Sequence, residues 1–233
     1  PNYYVSYGVH NVNQGSISSG DIFMDKKPRV GIAQAGYRNR FTEKVTLITN
    51  VTGHCGNAPQ FGIIEHLYQE YKDRGLEVVA VPTNDFCGPK VTYGIYECGI
   101  TDGKMAEDYA KSKWNVTFPF SELVVSIPDR DGKNPGKTPH ELYMQLNPDQ
   151  EEAPMYGNFE KFVVDKYGRV ALRLPNFILL NFAYEGGLCD SPETELTRLK
   201  KRIEIPLDEE YDENKIVPIE RDWDYQEYLA LAN

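Results

Sequence analysis

Residues 44–81 decide the fold and read KVTLITNVTGHCGNAPQFGIIEHLYQEYKDRGLEVVAV. The opening run is rich in β-branched residues and has the length of a buried strand, which Gly53 ends. From residue 61 to residue 71 the apolar positions recur at helical spacing, and Gly75 is suited to ending that helix. Residues 76–81 form a second apolar strand. A strand, a helix and a strand in this order predict a right-handed parallel βαβ unit.

The patterns downstream of this unit predict further helices and one hairpin. Residues 104–114 have amphipathic helical spacing, and another helix is expected to begin with Thr138 as its N-cap and Pro139 at its first position. Residues 161–172 contain two strand-like runs around a glycine-containing turn, which is the pattern of a β-hairpin. A short helix is expected from residue 195 to residue 203. Because hairpin strands are antiparallel, the whole sheet is predicted to be mixed.

The 233 residues are expected to form one core with two arms. Residues 1–40 show no sustained period and predict an extended arm, residues 41–185 predict the folded domain, and residues 186–233 predict an acidic tail. Aromatic side chains are numerous in both arms, which favours docking on a partner protein or on a second copy of the chain. The alternative is a tail that folds back over the core.

The composition narrows the range of partners. With 25 basic and 35 acidic residues the net charge is −10, which disfavours nucleic acid and anionic membrane surfaces. No apolar run reaches the roughly 18–20 residues of a membrane-spanning helix, so the chain is expected to be soluble. The histidines and cysteines show no metal-ligand spacing, and neither a metal nor another cofactor is expected. The sequence assigns no compartment.

Cys55 is the candidate reactive group. It lies where the first strand gives way to the helix, and a thiol near the positive N-terminal end of a helix has a lowered pKa. A thiolate is the nucleophile of peroxide and disulfide chemistry, and the neighbouring Gly53 and Gly56 would let a substrate oxygen approach closely. The alternative is that Cys55 is only a small buried apolar residue.

Four ordered motifs between about residues 40 and 175 resemble the glutathione peroxidases. NVTGHCGNAPQF, which contains Cys55, is similar to that family's NVAS-x-CG-x-T-P-Q-Y, and the segment ending in VPTNDF is similar to the family's segment ending in FPCNQF. NVTFPF follows, and GNFEKFVVDKYGRV resembles WNF-x-KFLVD-x-x-G-x-V. The resemblance implies an α/β protein with a thioredoxin-like fold, in which helices flank a mixed central sheet, with extensions at both termini.

The same resemblance implies a set of catalytic residues around the sulfur. Cys55 maps onto the reactive residue and Asn158 onto the family's Asn, whereas Asp85 stands where Gln is expected and Gly157 where Trp is expected. An ionised Asp85 only accepts hydrogen bonds and is expected to raise the pKa of the thiol by like-charge repulsion, which would slow peroxidase chemistry. Loss of the Trp is expected to widen the pocket unless another group fills it, for which Tyr156 is one candidate.

Two further cysteines are candidates for resolving an oxidised Cys55. Cys87 and Cys98 could each form a disulfide with it if the chain brings their Cα atoms within about 7 Å, although each could equally be a buried or unpaired cysteine. The family's cysteine within FPCNQF corresponds to Thr83 here, so no resolving residue is carried over by position. Cys189 lies outside the resembling region and is expected to fasten the tail or to stay free.

These features predict a thiol-dependent peroxidase. Cys55 would reduce hydrogen peroxide or an organic hydroperoxide and would then be reduced by thioredoxin, by glutathione or by an internal cysteine. A second hypothesis is a binding module that keeps the fold, has lost efficient chemistry and docks a partner through its arms. A third is a disulfide exchanger or redox sensor that uses the same thiol.

Overall fold

The computed structural model describes residue 41 and residues 43–87, 100–129, 136–148, 150–151, 153–176 and 192–212. The expected N-terminal arm and the last part of the expected tail lie outside these ranges. Strand β1 (Val45–Val51) and strand β2 (Leu76–Pro82) are parallel neighbours in register from Val45 and Leu76 onward, and helix α1 (Gln60–Tyr71) connects them. The predicted βαβ unit is therefore confirmed.

A β-hairpin completes the central sheet. Strands β3 (Lys161–Val164) and β4 (Val170–Leu174) pair antiparallel, with a register shift between Val163 and Val164. Strand β3 also pairs antiparallel with β1, so the strand order is β2-β1-β3-β4. The sheet combines one parallel pair with two antiparallel pairs, which confirms the mixed sheet predicted from the sequence.

Three more α-helices follow α1 in the described part of the chain: α2 (Gly103–Trp114), α3 (Glu141–Leu146) and α4 (Pro192–Asp208). A short 3-10 helix after α1 ends at Gly75, which has a φ of 104° and so adopts the left-handed conformation expected of a helix stop. The predicted start of α3 is wrong, because His140 and not Thr138 is its N-cap. The backbone N–H of His140 is bound to the Val125 carbonyl, which keeps this segment extended up to the cap.

The sheet is covered on both faces, and the strand residues alternate between the two sides. Leu47 and Val78 belong to the same buried cluster as the apolar residues of α1, α2 and α4, whereas Ile48 and Val79 belong to the cluster that contains those of α3. Because successive side chains of a strand point to opposite faces, this alternation gives two separate buried clusters, one on each side of the sheet.

Helix α4 is part of the core. Its predicted extent of residues 195–203 is too short, since the helix runs from Pro192 to Asp208 and buries Leu199, Ile203 and Leu207 in the same cluster as α1. The described residues of the expected tail therefore fold back over the domain. For this part of the chain the structure supports the alternative of a packed tail.

Candidate active site

Cys55 lies in a tight turn between β1 and α1. The N–H of Ala58 donates to the Cys55 carbonyl at 3.1 Å, and α1 begins only at Gln60, with Pro59 as its N-cap. The thiol is therefore separated from the first residue of the helix by a turn. Cys55 thus lies one turn before the helix, between β1 and α1 as the sequence pattern predicts, and this separation weakens the influence of the helix dipole because that influence falls off within about one turn.

Two N–H donors approach the sulfur. The backbone N–H of Asn57 lies 3.4 Å from Cys55 Sγ, and the side-chain Nδ2 of Asn158 lies 3.9 Å from it. Burial against the apolar cluster raises the pKa of the Cys55 thiol, and the Asn57 and Asn158 donors lower it only in part, so the net shift is upward. The lowered pKa expected from the sequence is therefore not found, because desolvation of the thiolate outweighs both donors.

The turn that carries Asn158 is held by two other asparagines. Asn50, at the end of β1, donates its Nδ2 to the Gly157 carbonyl at 3.0 Å and accepts the Glu160 N–H at its Oδ1 at 2.8 Å. Asn57 donates its side-chain Nδ2 to the Asn158 carbonyl at 3.0 Å. The turn is thus fixed both to the sheet and to the cysteine loop, which holds the Asn158 amide beside the sulfur.

Phe159 adopts a backbone conformation that is rare for a bulky residue. Its φ is 73°, in the left-handed region, and its side chain is fully buried with its ring centroid 4.8 Å from that of Phe61. Its N–H donates to the Asn50 carbonyl at 2.6 Å. Core packing and this hydrogen bond stabilise the unusual φ, which directs Asn158 toward Cys55 and Phe159 into the core.

Asp85 is not directed at the thiol. It is nearly fully buried, and its Oδ2 accepts hydrogen bonds from the Ser126 N–H, the Ser126 hydroxyl and the Ile127 N–H. The groups that shift the Cys55 pKa do not include Asp85, whose charge instead contributes to raising the pKa of Tyr143. The expected like-charge effect on Cys55 therefore has no support in the geometry.

The space beside Gly157 is filled by a residue that the sequence did not indicate. Tyr156 is 57% exposed and does not fill it. The side-chain amide of Asn176, which follows β4, lies directly over Gly157 instead. The expected widening at this position is thus at least partly offset within the chain itself.

The cysteines differ in oxidation state. Cys55 is a free thiol, whereas Cys87 is disulfide-bonded. Cys87 Sγ lies 3.7 Å from the Thr52 hydroxyl, three residues before Cys55 in the chain. In this state Cys87 has no thiol with which to resolve an oxidised Cys55, and Cys98 and Cys189 lie outside the described residues.

Sequence reasoning missed three asparagines of this region. Asn50 and Asn57 lie inside the motif that resembles the glutathione peroxidases, so their closeness to Cys55 in the sequence could have identified them as candidate site residues. Asn176 lies beyond the last motif, and no local pattern distinguishes it. Only the three-dimensional contact with Gly157 connects it to the site.

The described ranges also bear on metal binding and on membrane insertion. There, no group of three or more His, Cys, Asp or Glu side chains is placed to hold a metal ion. Nor does any helix of this part of the chain have the length and apolar character needed to cross a membrane.

The fold and the site define a thioredoxin-like protein with a free thiol, Cys55, in the turn that follows strand β1. The family model described as glutathione peroxidase matches residues 32–133. The glutathione peroxidase-like peroxiredoxin GPX5 of Chlamydomonas reinhardtii is 37% identical over 131 residues, covering 56% of this chain and 72% of that protein. The glutathione peroxidase-like peroxiredoxin 1 of Saccharomyces cerevisiae is 33% identical over 135 residues, covering 58% and 73%.

The chain therefore belongs to the glutathione peroxidase family, which confirms the family predicted from the sequence. Membership supports thiol peroxidase chemistry in general. Among solved structures, that of T. cruzi GPX1 is 19% identical with a TM-score of 0.43, covering 72% of this chain and 84% of that chain. The crystal structure of Trgpx in apo form is 21% identical with a TM-score of 0.43, covering 72% and 85%.

Proposed function

We propose that this chain is a thiol-dependent peroxidase that reduces hydrogen peroxide or organic hydroperoxides through Cys55. The observation that carries the proposal is a free, half-buried thiol with two N–H donors directed at its sulfur, in a chain of the glutathione peroxidase family. Donors of this kind stabilise a thiolate, which is the form that attacks peroxides.

The chemistry starts with the Cys55 thiolate attacking one oxygen of ROOH. An S–O bond forms as the O–O bond breaks, the sulfur is oxidised by two electrons, and the leaving alkoxide takes a proton to become ROH. Cys55 is left as a sulfenic acid. A reductant thiol then forms a mixed disulfide with Cys55 and releases water, and a second thiol returns Cys55 to its reduced form.

The reductant is proposed by chemical class, as a thiol such as glutathione or the dithiol of thioredoxin. We also propose that an internal thiol, from Cys87 or Cys98, could reduce the oxidised Cys55. For Cys87 it requires prior reduction of the disulfide found in the structure. Comparing turnover with glutathione and with thioredoxin, in the presence and absence of Cys87→Ser, separates these routes.

Peroxide titration of the reduced protein tests the proposal. One equivalent of hydrogen peroxide is expected to oxidise Cys55 before the other cysteines, as read by mass spectrometry after trapping sulfenic acid with dimedone. Cys55→Ser should abolish peroxide consumption. Unchanged consumption by Cys55→Ser would overturn the proposal, because it would place the reactive group elsewhere.

The donor at Asn158 gives a second, quantitative test. Asn158→Ala removes a hydrogen bond that lowers the thiol pKa, so the rate with peroxide at pH 7 should fall roughly two- to tenfold and the rising limb of the pH profile should move to higher pH. The control is Gln69→Ala, which removes an exposed amide of α1. Equal pH profiles for Asn158→Ala and the control would exclude this role of Asn158.

The raised thiol pKa favours one alternative, a family member with slow thiol chemistry that acts as a binding module or redox sensor. A thiol with a raised pKa is mostly protonated near pH 7, so its reaction with peroxide is slow unless a substrate or partner changes its surroundings. A second-order rate constant with peroxide no greater than that of a free cysteine would favour this alternative over the peroxidase.

A further inference from the structure

Position 157 needs a glycine because a neighbouring side chain leaves no room for a Cβ atom, and not because of its backbone conformation. Its φ lies outside the left-handed region, so any L-residue could adopt this conformation. A Cβ added at Gly157 would lie 2.3 Å from Asn176 Nδ2, 3.0 Å from its Cγ and 3.4 Å from its Cβ. The amide of Asn176 therefore occupies the volume that a side chain at position 157 would take.

Asn176 is itself held by two buried donors from different elements. Its carbonyl accepts the side-chain Nε2 of Gln60, the first residue of α1, at 2.7 Å. The same carbonyl accepts the Nζ of Lys161, on β3, at 3.2 Å, and that amine also donates to the Pro175 carbonyl at 3.2 Å. Gln60 and Lys161 are both fully buried, so these hydrogen bonds are protected from competition with water.

These contacts connect the two loops that supply the donors to the sulfur. Gln60 directly follows the turn that contains Cys55 and Asn57, and Gly157 directly precedes Asn158. Asn176 bonds to the first loop through its carbonyl and lies against the second through its amide. Asn176 therefore adds to the hydrogen bonds of Asn50 and Asn57 in fixing the distance between the two loops.

We propose that Asn176 is a positioning residue of the Cys55 site, which fixes the distance between the cysteine turn and the Asn158 turn and so sets the reactivity of the thiol. The inference rests on the proposed role of Cys55 as the reactive thiol. Because Asn176 acts through the turns, its removal should weaken the two donor contacts to the sulfur without removing either donor.

The test is a double-mutant cycle in which the measured quantity is the alkylation rate of the Cys55 thiol and not peroxide turnover. Gly157→Ala places a methyl group where the Asn176 amide lies, and the amide can rotate away because it is the end of a side chain. Asn176→Ala removes the same amide directly. Each single variant is expected to lower the rate of Cys55 alkylation by iodoacetamide at pH 7 roughly two- to tenfold and to move its pH profile upward.

The double variant Gly157→Ala/Asn176→Ala should match Asn176→Ala, because the nearest atom left to the new methyl group is the Asn176 Cβ at 3.4 Å, an ordinary contact. The control is Gly62→Ala, whose added Cβ would meet only Trp114 Cδ1 at 3.5 Å, and which should leave the profile unchanged. If Gly157→Ala does not fold, Asn176→Ala against the control remains a complete test.

Two results would overturn the inference: a wild-type alkylation profile in Asn176→Ala, or a double variant whose effect is the sum of the two single effects. Failure of the proposed peroxidase function has a different signature. In that case the Cys55→Ser variant would still consume peroxide. The pH profiles of Cys55 alkylation in the Gly157 and Asn176 variants would still show whether Asn176 positions the thiol.

Discussion

The Asp85 carboxylate stabilises the loop after residue 120 and leaves the thiol untouched. Three donors of Ser126 and Ile127 converge on one of its oxygens in a nearly fully buried setting. A carboxylate that accepts several hydrogen bonds in this way is anchored, because each bond would be lost if the side chain turned away. At the residue scale the carboxylate is therefore structural, whereas the Asn158 carboxamide and the Asn57 backbone N–H are the donors to the thiol.

Removing the carboxylate separates these two roles. Asp85→Ala should lower the free energy of unfolding by about 3 kcal/mol, because it leaves buried N–H groups of Ser126 and Ile127 without an acceptor. The pH profile of Cys55 alkylation should stay at its wild-type position. Denaturant unfolding and iodoacetamide labelling measure the two effects, with the exposed Asp73→Ala as the control. A displaced profile would show that the charge of Asp85 reaches the sulfur.

Helix α4 illustrates how an element with a highly charged, polar sequence becomes part of a core. Leu199, Ile203 and Leu207 recur at intervals of four residues, so they share one face, and that face lies against the α1 side of the sheet. Polar contacts at its edge add to this packing, including the Tyr71 hydroxyl, which donates to Glu204 at 2.8 Å. The element stabilises the domain from a position well outside the catalytic motifs.

Two isoleucines of this helix provide a matched pair. Ile203→Ala should lower the free energy of unfolding by about 2–5 kcal/mol, because Ile203 is fully buried and its loss leaves a cavity. Ile205→Ala, the same substitution at a 58% exposed position of the same helix, should cost about 0.5 kcal/mol or less. Equal costs in denaturant unfolding would mean that α4 does not pack on the core in solution.

On the scale of the whole molecule, a buried amine couples stability to pH. Lys161 is fully buried, and burial lowers the pKa of its ammonium group to about 7, which the nearby Glu160 only partly opposes. Its hydrogen-bond acceptors, the carbonyls of Pro175 and Asn176, are neutral and cannot replace a counter-charge. The folded protein therefore releases this proton at a lower pH than the unfolded chain does.

The sign of the resulting pH dependence follows from proton linkage. Between pH 7 and the ordinary lysine pKa of 10.5 the unfolded chain binds more protons at this position than the folded one, so the contribution of Lys161 to stability rises with pH. Relative to Lys161→Met, the wild-type free energy of unfolding should rise by up to about 1.4 kcal/mol per pH unit in this window.

Denaturant unfolding at pH 7, 8 and 9 measures this difference, and the exposed Lys113→Met provides the control. A difference between wild type and Lys161→Met that stays constant over this range would show that the amine titrates normally and is reached by water. The control removes an amine from an exposed position of α2, so it reports the effect of deleting a lysine that is not buried.

The sequence by itself determined the central elements and the thiol. The β-branched run of β1, the helical spacing of α1 and the turn of the β3–β4 hairpin are local signals, so they could be predicted from neighbouring residues. The motifs around Cys55 and Asn158 were also readable, because each lies within a short continuous segment. Membership of the glutathione peroxidase family follows from these segments and their order.

Only the tertiary structure decided the direction of Asp85, the arrival of Asn176 over Gly157 and the upward shift of the Cys55 pKa. Asp85 and Asn176 find their partners far away in the chain, and no pattern of neighbouring residues encodes such contacts. The thiol pKa depends on how much water the surrounding elements exclude, and that quantity exists only once the chain has folded. The sequence therefore located the thiol, and the packing around it determined its pKa.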